Sequence, residues 1–285
     1  MRNRVVRKLS FGLMLMLTIA TISTLAVSPQ NAPAQKEAFE VASVKLIVPG
    51  SGPGRPGMFM NAGPGCSLTG VQVDPRRVAV AAPLFTLIAT AHGGNCRVPD
   101  MIIGGTDWMK TDRWDIEAVM PEGSPTYTPA QFVGGNAPKI NAMLQTLLAD
   151  RFKVAVHRET REVTVNVLTV GKGSPKLTAA NDADQPARRI NARKDQEGKP
   201  FLEFIAGKAT MATLAEMLQL ATSRPVVDRT GITGNFNIRF EYDNDGVAKP
   251  TIFTVLQEEL GLRLESAKEK MEVLVIDRAE KPSEN

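Results

Sequence analysis

Apolar residues recur at helical spacing in four stretches of the chain and at alternate positions between them. Leu84, Leu87, Ile88 and Ala91 follow Pro83 and run up to His92, which predicts a helix with proline in its first turn. Ile140, Met143, Leu144, Leu147 and Leu148 predict a second helix, closed by Arg151. Two more are predicted around Leu214, Met217 and Leu218 and around Val255, Leu256 and Leu260. Alternation over 39–45, 114–118, 152–157, 163–170, 201–205, 236–239 and 271–275 predicts half-buried strands, with short strands over 66–73 and 77–80 around an Asp74-Pro75 turn. Arg158-Glu159-Thr160-Arg161-Glu162 predicts a charged hairpin turn between two of these strands. Gly- and Pro-rich residues 49–64 and 121–138 predict surface loops, and the polar stretch 172–200 an interdomain linker.

The order helix, strand, tight turn, strand, loop, helix, strand, strand over 209–277 repeats, in a degraded form, an order already present upstream. Residues 84–88 take the place of 214–218, 114–117 of 236–239, 143–148 of 255–260 and 163–167 of 271–275. The predicted fold class is therefore α+β: two related two-layer units, each a small mixed sheet with two helices packed on one face. The expected boundaries are 1–34 for an export signal, 35–171 for the first unit, 172–200 for the linker and 201–285 for the second unit.

The charge pattern separates the first residues from the rest. Arg2, Arg4, Arg7 and Lys8 precede an uncharged apolar run over 9–27, and Ala32-Pro33-Ala34 supplies the small residues that a signal peptidase cuts after, so cleavage before Gln35 is expected; the rival is an uncleaved N-terminal anchor. Without residues 1–34, 30 of the 34 Lys and Arg remain against all 30 Asp and Glu. A near-neutral domain with interspersed signs argues against nucleic-acid binding, and against membrane contact except through an uncleaved signal. The expected location is the periplasm or the cell exterior. Cys66 and Cys96, both in the exported part, suggest one disulfide in an oxidising compartment; two separate buried thiols are the alternative.

Several motifs taken together resemble a known family. They are Phe39-Glu40-Val41-Ala42-Ser43-Val44-Lys45, Ile103-Gly104-Gly105 followed by Trp108, Leu147-Leu148-Ala149-Asp150-Arg151-Phe152-Lys153, His157 to Glu162, Val227-Asp228-Arg229-Thr230-Gly231-Ile232-Thr233-Gly234, and the ending from Val275 to Asn285. The chain resembles the uncharacterised soil-associated secreted protein family, a domain of unknown function expanded in soil Acidobacteria. The resemblance implies no activity. Residues 214–277 are also similar, in element order alone, to the short N-terminal domains of secretins and TonB-dependent transducers, modules that act by protein contact.

No set of residues has the types and spacing of a known reaction, and no cofactor or metal is expected. Trp108, on a polar connection, is a candidate ligand anchor with Asp107 and Arg113 beside it, whereas Trp114 alternates with Ile116 and belongs to the core. Asp228, Arg229 and Thr230 form a candidate anion- or peptide-binding loop whose plainer reading is a glycine-bounded turn. Asp243-Asn244-Asp245-Gly246 begins like a calcium loop but lacks the acidic residue that completes one. His92 suits a cation at a helix C-terminus. The expected function is that of an exported noncatalytic module that binds an envelope protein or a small ligand. The alternatives are a hydrolase assembled from distant residues such as His157, Asp228 and Glu241, and a small-ligand sensor or inhibitor domain.

Overall fold

The computed structural model describes residues 36–48, 68–94, 98 and 100–282. The predicted export segment 1–34, the loop 49–64 and the Cys66 and Cys96 pair lie outside the described residues. From Lys36 the chain forms one compact unit. Strands β1 (Val41–Leu46), β2 (Thr69–Val73) and β3 (Arg77–Pro83) lead into helix α1 (Leu84–His92), β4 (Ile102–Gly104), α2 (Asp107–Thr111), β5 (Arg113–Val119), α3 (Pro129–Val133), α4 (Pro138–Phe152) and β6 (Ala155–Val170). The second half comprises β7 (Thr178–Ala179), β8 (Ala187–Lys194), β9 (Pro200–Ala209), α5 (Met211–Thr222), β10 (Val226–Asp228), β11 (Phe236–Tyr242), α6 (Ile252–Glu258) and β12 (Leu262–Arg278). The architecture is α+β.

The first lobe is an antiparallel sheet in the order β1-β5-β3-β2 with α1 and α4 packed on it. Trp114, Ile116 and Ala118 alternate inward along β5, as the sequence pattern requires. Trp114 is 5% exposed and meets Phe152 edge-on at 4.9 Å between centroids. Gly93 ends α1 in the left-handed region at φ 67°, and the Gln145 side chain of α4 donates to the Ala91 carbonyl at 2.7 Å, joining the two helices. Each fully buried Leu, Ile or Phe here contributes on the order of 1.5–3 kcal/mol.

The second lobe is an antiparallel sheet in the order β7-β11-β9-β8, whose inner face carries Phe204, Ala206, Ile238 and Phe240 against α5 and α6. Phe204 and Phe240 stack at 4.5 Å. Two of its strands, β7 and β8, fall inside the stretch predicted as a linker. β8 is an edge strand with much of its length open to water, so its composition reads as polar although it pairs with β9 from Ala187 to Lys194.

Between the lobes runs a ribbon, and here the structure departs from the sequence reading. β6 and β12 are continuous strands of 16 and 17 residues, paired antiparallel from Leu262 opposite Val170 to Arg278 opposite Ala155. The predicted hairpin at 158–162 does not exist; those residues sit mid-strand opposite 270–274. They contain no Gly, Asn, Asp or Pro to turn the chain, and a two-stranded stretch open to water accommodates their charges. For the same reason the two strands expected at the end of the chain are one. β4 joins β12 in parallel at 274–276, and β10 joins β6 in parallel at 166–168. The mixed sheet β10-β6-β12-β4 is thus shared by both lobes, and the lobes' own sheets are antiparallel, in place of two separate mixed sheets.

Candidate functional site

The residues around Trp108 do not converge. Asp107 opens α2 and is exposed, while half-buried Trp108 rests on the first core with the Lys281 ammonium 5.5 Å from its ring centroid. Lys281 in turn pairs with Asp112 at 2.8 Å. Arg113 is engaged in the sheet: its Nη2 donates to Thr69 Oγ1 at 2.7 Å and to the Ala81 carbonyl at 3.1 Å.

The loop after β10 is a turn that satisfies itself. Asp228 Oδ1 accepts from the Thr230 amide at 2.9 Å and from its hydroxyl at 2.8 Å, and Thr230 Oγ1 accepts from the Ile232 amide at 3.2 Å. Arg229 pairs with Glu269 at 2.7 Å. The two predicted sites also lie apart. Asn166, beside β10, faces Ser266, while β4 begins pairing at Leu274, and the intervening eight residues of ribbon span about 26 Å.

The hydrolase constellation is not assembled either. His157 and the β10 partner Leu168 are eleven residues apart on β6, about 36 Å of strand, and Glu241 pairs with Lys249 on the second lobe. His157 is exposed; its hydrogen bond to Asp277 at 2.9 Å raises its pKa above the usual value, with the nearby carboxylate charges of Asp277 and Glu159 adding to the effect. At the end of α1 the helix-capping cation is Arg158, whose guanidinium donates to the His92 carbonyl. His92 itself is held below its usual pKa, by burial first and by Arg158 second.

Glu203 is a carboxylate that sequence reasoning did not single out. It lies on the outer face of the second sheet, 3% exposed, accepting from Asn191 at 3.1 Å, from Arg193 at 3.1 and 2.9 Å, and from Arg239. Those hydrogen bonds, Asn191 and Arg193 first, hold its pKa down to about 2. All its partners are internal, so the group is a fixed anion that ties β8 and β11 to β9. Among the described residues no group of three His, Cys, Asp or Glu side chains is placed to hold a metal ion.

A concave site lies where the second lobe meets the ribbon. The C-terminal end of α5, the first turn of α6 and the loop after β11 enclose a cleft of about 430 Å³ lined by Asn166, Ala221, Thr222, Arg224, Asp243, Asn244, Thr251, Ile252 and Phe253. Its shape follows from local chemistry. Ser223 ends α5 in the left-handed region at φ 51°, and Thr251 caps α6 by accepting from the Thr254 amide at 3.5 Å. Asn166 sits on β6 in phase with core residue Leu168, is 2% exposed, and its side-chain Nδ2 has no hydrogen-bond partner among the described residues. A buried amide donor without a partner costs on the order of 1–3 kcal/mol. Asp243 accepts from the Ala248 amide at 2.8 Å, and that bond leads the causes that hold its carboxyl below the usual range. Arg224 is exposed and makes no ion pair among the described residues, and Phe253 is 49% exposed although apolar.

These features define an α+β protein of two helix-covered sheets joined by a shared ribbon, with an open polar and apolar cleft at one of the junctions. The chain belongs to a family described only as proteins of unknown function, DUF3738, whose model matches residues 86–279, from within α1 to just past β12. No curated protein and no solved structure matches the chain.

Sequence reading missed the cleft because its residues come from four separate segments. One signal was present: in Val163-Thr164-Val165-Asn166-Val167-Leu168, an asparagine occupies a position in the alternation that the core claims two residues later.

Proposed function

We propose that this is an exported, noncatalytic binding module of the cell envelope that holds a small ligand in the cleft below α5 and α6. The observation that carries the reading is the unpartnered, buried Asn166 amide on the wall of a concavity whose size falls in the range of about 300–1,000 Å³ typical of small-molecule sites. The export part rests on the basic and apolar leader with its Ala-Pro-Ala end. The secreted, soil-associated character of the family it resembles agrees with that leader, and the likeness of α5 to β12 to secretin short domains agrees with a contact role.

We also read the chain as a duplication. Its support is that β3-α1-β4-β5-α4-β6, with the short helices α2 and α3 set aside as insertions, matches the order β9-α5-β10-β11-α6-β12, and that each short strand, β4 or β10, pairs in parallel with the closing strand of the other half.

The test is a thermal-shift screen of small envelope-derived compounds against wild type and Ala221→Trp, which fills the cleft. A ligand at about 100 times its Kd adds about 2.7 kcal/mol to stability, or roughly 5–10 °C in a chain of this size. A shift seen in wild type and abolished by Ala221→Trp supports the reading. No shift with any compound, or a shift untouched by the substitution, overturns it.

A further inference from the structure

The chemistry of the cleft wall is unusual in one respect: it presents a cation and an anion, an uncommitted amide and an apolar surface within one concavity. Arg224 lines the cleft with a guanidinium that has no carboxylate partner among the described residues. Asp243 is anchored by the Ala248 amide at 2.8 Å, which fixes its carboxylate on the wall. Asn166 Nδ2 is a donor that no described residue answers. Ala221, Ile252 and the half-exposed ring of Phe253 supply the apolar part. A ligand complementary to all of these has a carboxylate, an ammonium group, an amide-like acceptor and a compact hydrocarbon side chain.

We infer that the cleft binds a zwitterionic amino acid or dipeptide with an apolar side chain. The inference rests on the reading of the cleft as the binding site and deepens it. In this arrangement the ligand carboxylate accepts from the Arg224 guanidinium, the ligand ammonium donates to the Asp243 carboxylate, and a ligand carbonyl accepts from Asn166 Nδ2. The side chain lies against Phe253 and Ile252. Opposite charges in one lining exclude simple anions and simple cations more than they exclude a molecule carrying both, because each lone charge gains one partner and faces one repulsion. The amide donor favours a dipeptide, whose peptide carbonyl stands between its charged ends. A free amino acid has only its carboxylate to offer to both Arg224 and Asn166.

Calorimetric titration of the protein with four probes tests this: L-leucyl-L-leucine, L-leucine, the N-acetylated dipeptide, which lacks the ammonium, and the dipeptide amide, which lacks the carboxylate. The expected result is binding of the free dipeptide, with each cap weakening it about tenfold or more, as the loss of a charge-assisted hydrogen bond does. Arg224→Gln is expected to bind the free and amidated dipeptides alike, because the group that distinguishes them is gone. Whether leucine or the dipeptide binds more tightly identifies the source among the two. Equal binding of capped and uncapped forms by wild type, or a preference for the free carboxylate that survives in Arg224→Gln, overturns the assignment. If none of the four binds but another compound does, and Ala221→Trp abolishes it, the ligand class is wrong and the cleft reading stands. If nothing binds, or Ala221→Trp leaves binding intact, both fall.

Discussion

Replacing Asn166 by leucine separates the cost of a binding site from its use. Leucine has the same branching as asparagine, so its side chain occupies nearly the same shape on β6. The native Nδ2 is buried and unpaired, which costs about 1–3 kcal/mol. Leucine removes that cost and adds apolar surface beside Leu168, in a residue that is only 2% exposed. Against this stands the tetrahedral branch of leucine in a space shaped for a planar amide, a misfit of up to about 1.5 kcal/mol. The net expectation is a gain of about 1 kcal/mol in the unliganded protein, or about 2–4 °C in melting temperature. Asn166→Ala, which removes the donor and also opens a cavity, should come out close to neutral. The assay is urea or thermal unfolding of wild type and both variants, without ligand. A loss of more than about 1 kcal/mol in Asn166→Leu would refute the reasoning, since it would mean that the amide is satisfied in solution and its removal breaks an interaction. A gain in stability accompanied by lost ligand binding would identify Asn166 as a residue kept for binding at the expense of the fold.

Other expectations follow from the same structure. Glu203 has a folded pKa of about 2 against an ordinary 4.5, so its contribution is complete above the ordinary value and is lost as pH falls toward 2; the urea midpoint of Glu203→Gln should vary less than that of wild type across this window. Gly104 has φ +86°, and a Cβ there would stand 2.6 Å from the Ile276 carbonyl oxygen, so Gly104→Ala should cost more than about 2 kcal/mol and loosen β4 from β12, read by amide exchange. Gly123→Ala, at φ +75° with open space around it, should cost about 1 kcal/mol and serves as the control. The His157 ring should titrate above 6.5 by NMR and move back toward that value in Asp277→Asn; any stability that the pair provides is present below the unfolded pKa and fades as pH rises through the folded one.

Much of the framework was legible because local pattern and burial agree. The apolar spacing from Leu84 to Ala91 and from Ile140 to Leu148 marks α1 and α4 where they occur, and the alternation of Trp114 with Ile116 places the tryptophan in the core. The ribbon was not legible for a physical reason. A hairpin and a continuous strand both alternate, and Arg158 to Glu162 looks like a surface turn because it is exposed on a two-stranded stretch. The decisive cue was negative, the lack of any turn-forming residue in that segment. The candidate loop at 228–230 was legible as chemistry, and the structure shows its polar groups occupied by one another. The cleft was not legible, because Arg224, Asp243 and Phe253 become neighbours of Asn166 only once α5, α6 and the ribbon have met.

The crossed pairing of the short strands bears on how the chain acquires its structure. β4, from the first half, is completed by the final strand, and β10, from the second half, is completed by a strand of the first. Each lobe's own antiparallel sheet uses strands of its own half, but the ribbon sheet cannot be completed by either half alone, so the junction of a nascent chain stays open until β12 has been made. The pairing of β6 with β12 is therefore a late, long-range step, whatever has formed before it. On the export route proposed above, a topology that postpones closure of the junction to β12 acts as an intrinsic timer.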